Sequence, residues 1–163
     1  MVNMIRLIAA VDNKLGIAKN GEMPWNIPED EHYFTEQTKK FGARVLTAGR
    51  TFREAYKSKP LKDRTNYIYT RSSDPIEGAV LVNDLNKFLA ENTGQDLWVA
   101  GGGELFEQVI QKDLPMELYL THIKGDFSCD TFFPSIDRFK LIQKSEDRQQ
   151  NGFEFYYAIY SNQ

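Results

Sequence analysis

Five short, almost uninterrupted apolar runs, at residues 7–11, 44–48, 66–70, 79–82 and 97–100, constrain this chain more than any other feature. Runs of that length without polar alternation suit strands covered on both faces, as in a largely parallel sheet. Between them lie stretches with helical spacing: residues 28–41, a short segment after Arg50, 84–91 and 104–112. Two later segments, 117–123 and 153–160, are longer and aromatic, and Asn151-Gly152 marks a turn before the last of them. The pattern predicts an α/β fold with a central mixed, mostly parallel sheet of about eight strands flanked by helices. The length, 163 residues, suits one domain over 1–163 rather than two.

Composition narrows the function classes. Twenty basic against 23 acidic residues leave a net charge of −3, without the basic excess a general nucleic-acid binder needs. The single cysteine, Cys129, excludes an internal disulfide framework and a Cys-rich zinc site. His32 and His122 are too isolated to suggest a metal cluster, so no metal is expected. No apolar run nears the roughly 20 residues of a membrane span, and residues 1–6 lack a signal-peptide layout. The expectation is a cytoplasmic protein with no membrane or nucleic-acid partner.

Chemistry could sit in four places. The helix opening at Pro28 carries Glu29, Asp30 and Glu31 in its first turn. At 100° per residue, Asp30, Phe34, Gln37 and Phe41 share one stripe that should face inward. Glu29, Tyr33, Glu36 and Lys40 make a neighbouring face that reads as solvated. A carboxylate heading an aromatic stripe has a raised pKa or binds a donor-bearing partner. Acids in a first turn also complement the helix dipole, and from the stripe alone that remains the simpler explanation. Next, residues 97–100 run into Gly101-Gly102-Gly103 and then a helix, a turn that lets backbone approach a phosphate. It is neither a dinucleotide fingerprint nor a P-loop, and a tight turn alone would also use glycine. Gly49-Arg50-Thr51 and Thr70-Arg71 follow two other strands, and ligands of open α/β sheets gather at strand carboxyl ends. Each Arg singly reads as a surface charge; together these strand ends suggest one nucleotide site. Lastly, the glycine-punctuated stretch 15–25 is long enough for a lid, with Trp25 as its anchor or as a core residue.

Taken in order, these segments resemble dihydrofolate reductase from Ile8 to about Tyr160. The matching residues are Ile8-Ala9-Ala10, Gly16-Ile17, Met23-Pro24-Trp25-Asn26-Ile27-Pro28-Glu29-Asp30 and Phe34. They continue with Gly49-Arg50-Thr51, Pro60-Leu61, Arg64-Thr65-Asn66, Gly101-Gly102-Gly103, Tyr119-Leu120-Thr121-His122 and Asp130-Thr131-Phe132-Phe133-Pro134. The resemblance implies reduction of 7,8-dihydrofolate to tetrahydrofolate by hydride from NADPH, in support of one-carbon metabolism. It implies sensitivity to antifolate inhibitors, and a monomer is expected. Asp30 would hold the pterin edge and favour protonation at N5, oriented with Thr121 and beside Trp25. Ile8, Ala10, Phe34, Leu61, Ala100 and Phe106 would line the substrate pocket, with Glu31 at its border. Arg64 would clamp the α-carboxylate of the glutamyl tail. The cofactor would lie along Ala10, Gly16, Ile17, Gly49, Arg50, Thr51, Thr70, Arg71, Gly101, Gly102, Gly103, Glu104 and Leu105, with a cis peptide between the first two of the three glycines. The loop around Met23 would close over the nicotinamide.

Five positions depart from the family pattern. Thr51 follows Arg50 directly, where another residue, often basic, usually intervenes. Ala48 and Ala100 are smaller than usual, Phe106 lacks the hydroxyl of a common Tyr, and Glu31 replaces an apolar residue. Two other readings stay open at this level. One is a pyrimidine reductase of riboflavin synthesis, which shares architecture and NADPH but would not carry Pro24-Trp25, Asp30 and Arg64. The other is a folate- or nucleotide-binding module without turnover.

Overall fold

The computed structural model describes residues 3–91 and 94–163. Met1 and Val2, which open the stretch read for a signal peptide, lie outside the described residues. The chain runs β1 (Ile5–Val11), β2 (Gly16–Ala18), α1 (Pro28–Thr38), β3 (Arg44–Ala48), α2 (Gly49–Glu54), β4 (Thr65–Tyr69), β5 (Ala79–Val82) and α3 (Leu85–Glu91). It continues with β6 (Leu97–Val99), α4 (Gly103–Ile110), β7 (Met116–Ile123), β8 (Thr131–Phe132), β9 (Lys140–Lys144), β10 (Arg148–Gln150) and β11 (Phe153–Ser161).

All five early apolar runs are strands, and with β7 they form a parallel set in the order β7-β1-β6-β3-β4-β5. The aromatic β11 closes this set antiparallel to β7, as the expected final pair. Alternation sends Leu7, Leu46, Val99 and Leu118 to one face, where α4 buries Leu105, Phe106 and Val109 on them. Ile8, Val45, Trp98 and Tyr119 point to the other face, beneath Tyr33 and Phe34 of α1. Such two-sided burial is what the unbroken apolar runs require.

The sheet has nine strands, in keeping with the expected eight or so; β9 and β10 both pair with the outer side of β11. Neither was visible in the sequence. Every residue of β9 is exposed, so it carries no alternation, and its terminal lysines suit an edge. β10 is polar throughout and is held by the turn at Asn151 and Gly152, both at positive φ (52° and 81°). A separate pair, β2 with β8, lies off the main sheet.

The α1 stripe needs one correction. The helix ends at Thr38, whose hydroxyl bonds back to the Phe34 carbonyl at 2.8 Å, and Phe41 lies beyond it at φ 57°. Phe41 is 48% exposed and lies over the Arg6 guanidinium, 3.6 Å away, so it belongs to the other end of the sheet from Asp30. At that end Arg6 is bonded to Asp96 at 2.7 Å and Glu117 at 3.0 Å, while Arg44 donates to the Asp96 carbonyl.

Candidate active site

At the carboxyl end of the strands the chain builds a cleft between α1, β7 and the loop leading into α1. Pro28 starts α1 with its fixed φ and missing N–H, which brings Asp30 into the first turn above Thr121 of β7. Thr121 Oγ1 donates to Asp30 Oδ1 at 2.6 Å. Burial raises the Asp30 pKa to about 6; the bond from Thr121 opposes this, while Glu31 and Glu29 add to it. The result is an acid that changes charge near neutrality at the head of an aromatic cleft.

Ile8, Phe34, Leu61 and Ala100 meet in one cluster beside it. Trp25 and Ala10 belong to the adjoining cluster, with Trp25 edge-on to Phe127 at 5.4 Å. Trp25 Nε1 is buried and has no hydrogen-bond partner, a donor left for a water or ligand. Phe106 is buried against Phe133 and lies beneath Gly101, so it supports the glycine turn from the opposite face of the sheet. Leu105 is likewise core. Glu31 is exposed on α1, and Glu104 is exposed at the start of α4.

Arg64 is held by two bonds, from Nη1 to Thr38 Oγ1 and from Nε to the Lys62 carbonyl, both 2.9 Å. Asn66 fixes the turn that carries it. Its amide bonds the backbone of Leu61 in both directions and donates to the Arg64 carbonyl. Tyr56 is a cleft residue that the sequence did not single out. Its ring centroid is 6.4 Å from that of Phe34, and its hydroxyl bonds Thr47 beside Arg64. Burial pushes its pKa up to about 12, so it stays a neutral donor. Nothing in local spacing marks it, because it lies past the end of α2.

The glycine turns converge. The Gly101–Gly102 peptide is cis, as the resemblance implied. A Cβ on Gly102 would stand 2.9 Å from Thr51 Oγ1, and one on Gly49 would meet Thr70 at 3.3 Å. Gly49, Thr51, Thr70 and the triple glycine therefore line one cradle that side chains would fill. α4 begins at Gly103 with no side-chain cap, leaving its first N–H groups open to an anion. Arg71 is exposed beside this cradle, whereas Arg50 turns to Glu54 at 3.2 Å.

The 15–25 segment is tied at its start and at its middle. Asp12 accepts from the N–H groups of Lys14, Gly16 and Phe127, and Asp130 accepts from Asn20 N at 2.9 Å. Gly16 and Ile17 thus sit in the short β2–β8 pair, and Met23 at the loop tip is 57% exposed. Glu29 corrects the solvated face: it pairs with Arg148 of β10 and accepts from Tyr157 Oη at 2.8 Å, and Tyr33 stacks on Tyr157 at 3.9 Å. That clamp anchors the turn of helix bearing Asp30. Cys129 lies against Asp12 and Gly16; burial pushes its thiol up to about 11, which makes it a poor nucleophile. Among the described residues no group of three or more His, Cys, Asp or Glu could hold a metal, and no helix is long and apolar enough to cross a membrane.

Residues 4–162 match the family model described as dihydrofolate reductase. Dihydrofolate reductase of Drosophila melanogaster is 33% identical over 94% of both chains. That of Aedes albopictus is 32% identical over 94% of this chain and 95% of its own. A solved dihydrofolate reductase of Enterococcus faecalis, complexed with NADP(H) and RAB-propyl, superposes with a TM-score of 0.81 at 28% identity, covering 98% of this chain and 97% of its own. The Schistosoma mansoni enzyme covers both chains fully, with a TM-score of 0.84 at 25% identity.

Proposed function

Because the chain belongs to the dihydrofolate reductase family, we propose that this cleft reduces 7,8-dihydrofolate to 5,6,7,8-tetrahydrofolate with NADPH, with Asp30 favouring protonation at N5. The observation that carries the reading is the buried Asp30 carboxyl, bonded to Thr121 at 2.6 Å and poised near pH 6. A group with that pKa exchanges protons readily at neutral pH, and its two oxygens match the paired donors of a pterin edge. Thr121 fixes its orientation, and the free Trp25 N–H supplies a donor for an ordered water beside it.

Phe34, Ile8 and Leu61 pack on the flat rings of the substrate, and Arg64, set by Thr38, takes the glutamyl carboxylate. Tyr56, near Phe34 and Arg64, adds a neutral donor along the same path. The cradle of Gly49, Thr51, Thr70 and the triple glycine fits a dinucleotide diphosphate, since it combines space for backbone approach with hydroxyls and an open helix start. When bound, NADPH supplies the hydride. The 15–25 segment, hinged on Asp12 and Asp130, excludes water over the nicotinamide side. This reading makes the protein a monomeric cytoplasmic enzyme of one-carbon metabolism, with antifolates as inhibitors.

The test is oxidation of NADPH by the purified protein with and without dihydrofolate, with identification of tetrahydrofolate. Oxidation that depends on dihydrofolate is expected. Binding of both ligands without product would overturn the proposal in favour of a binding module.

A further inference from the structure

The first turn of α1, which carries Asp30, is held from outside the helix. Ile27 at its start offers no side-chain acceptor, and Pro28 brings no N–H. The first backbone donor of the helix is therefore Glu29 N, and it bonds Gln150 Oε1 of β10 at 2.8 Å. Arg148 stands two residues before Gln150, so both side chains leave the same face of that strand. Its guanidinium forks onto the two carboxylate oxygens of Glu29 through Nε and Nη2. Tyr157 Oη of β11 donates to the same carboxylate at 2.8 Å, and its ring stacks on Tyr33 at 3.9 Å. An isolated exposed ion pair contributes little, but this one is forked and belongs to a network. Two strands grip one face of α1 by its backbone, a carboxylate and a ring.

Asp30 lies one residue further on. From its own helix it faces the charges of Glu29 and Glu31 and the phenol of Tyr33; from the sheet it faces Thr121 of β7 and Tyr157 of β11. Burial, and then the Glu29 carboxylate, keep Tyr157 protonated far above the usual phenol range, and burial does the same for Tyr33. The charges left to act on Asp30 are the two glutamates, which oppose its ionisation. Arg148 is the cation of this network, and it stands on Glu29.

We infer that Arg148 is a positioning residue for Asp30: it seats Glu29, and with it the first turn of α1, against the β10–β11 hairpin and neutralises the charge beside the acid. The inference rests on Asp30 being the acid of the reduction. Without Arg148 the full Glu29 charge bears on Asp30, which then titrates at higher pH. Without the Glu29 charge Arg148 is left alone, and Asp30 titrates at lower pH. A brace that only held the helix in place would move both variants the same way.

The test is NMR titration of the Asp30 carboxyl in the ligand-free protein, followed by the pH profile of hydride transfer in single turnovers. Arg148→Gln should raise the Asp30 midpoint by about half a pH unit, and Glu29→Gln should lower it by a similar amount. The double variant should return near wild type, and Arg148→Lys should stay close to it. The rate profile should follow the same order, with about a three-fold change on its alkaline limb. Lys124→Gln breaks another exposed ion-pair cluster on the same hairpin, with Asp147 and Glu154, and should leave the midpoint where it is. Shifts of one sign in both single variants overturn the inference, as does a shift in Lys124→Gln equal to that in Arg148→Gln. Glu29→Gln decides independently of how well Arg148→Gln folds: a midpoint that fails to fall there also overturns it. A wild type that never oxidises NADPH with dihydrofolate defeats the reductase reading, while the ligand-free midpoints still decide the role of Arg148.

Discussion

The two ends of the parallel strands use the same residue types to opposite effect. At the amino end, the Arg6 guanidinium is bonded to Asp96 and Glu117, capped by Phe41, and flanked by Arg44 on the Asp96 carbonyl. Arg6, Asp96 and Glu117 there each have a partner of opposite sign. At the carboxyl end, among the described residues, the Asp30 carboxyl has only a hydroxyl, Trp25 Nε1 has no partner, and Arg71 has no carboxylate. A buried N–H is normally satisfied, so the unpaired Trp25 Nε1 beside an Asp30 poised near neutrality marks this end as the one left open to a ligand. One end is closed by its own ion pairs, and the other is where the proposed ligands would complete the site.

The largest effect expected from this contrast is at Asp30. Asp30→Asn should lower turnover by about 10²–10⁴-fold at neutral pH, because the amide offers no exchangeable acid at the pterin. The same change should stabilise the ligand-free protein. Burial raises the folded pKa from 3.8 to about 6, so the favourable contribution of the neutral acid is complete below about pH 4 and is lost as pH rises through 6. Allowing for the opening to the cleft, Asn should gain about 1–2 kcal/mol at pH 7.5, with the gain fading towards pH 4. Thermal melts across that range check it, and a variant that loses both activity and stability would dissolve the contrast between the two ends.

The complementary change is Arg6→Met, which should destabilise the fold by about 2–3 kcal/mol by stranding Asp96 and Glu117. Binding of 2′,5′-ADP should stay within two-fold, since Arg6 lies at the far end of β1. Adding Glu117→Gln should recover part of the loss. Denaturant melts of the single and double variants measure both quantities, and a large fall in nucleotide affinity would mean the two ends are mechanically coupled.

The same contrast explains what could be read from the sequence. The central strands of the parallel set were legible because burial on both faces leaves an unbroken apolar signature, as at residues 44–48 and 97–99. Asp30, Phe34, Thr121 and the three glycines were legible because each lies at a strand end or first helical turn, where local chemistry fixes position. Long-range partners were not. Glu29 meets Arg148 and Tyr157 across most of the chain, and nothing near Glu29 announces them. Phe41 matches the helical spacing, yet the chain leaves the helix before reaching it. The place of Tyr56 depends on how the chain leaves α2 after Glu54, which local spacing does not set.

A smaller effect is expected where the open end is braced by its own side chains. Thr38→Val removes the hydroxyl that receives Arg64 Nη1 and leaves the helix otherwise intact. With Arg64 free to move, the KM for dihydrofolate should rise about five-fold, near 1 kcal/mol, with kcat hardly changed. A folate analogue lacking the glutamyl tail should bind both proteins alike. If its affinity falls as much as that of dihydrofolate, Thr38 shapes the cleft and not the arginine.

The smallest effect separates the two acids that flank Asp30. Both Glu29 and Glu31 raise its pKa through like charge, but Glu29 is committed to Arg148 and Tyr157, whereas Glu31 is exposed on α1. Exposed charges act through water and are screened over about 10 Å at ordinary salt, so Glu31 can contribute little. Removing a like charge favours the ionised form of Asp30; Glu31→Gln should therefore move its pKa down, by no more than about half a unit at low salt. The fall in stability with rising pH should begin at slightly lower pH in the variant, and the two profiles should merge as salt is raised. The Asp30 carboxyl signal followed by NMR between pH 4 and 8, at low and high ionic strength, measures this directly. A tailed antifolate should also tighten slightly more than a tailless one in Glu31→Gln, since only the tailed ligand brings carboxylates near that edge of the cleft. A shift that persists at high salt would mean that Glu31 turns inward when the cleft is filled, and the open end would then hold one more charge awaiting its ligand.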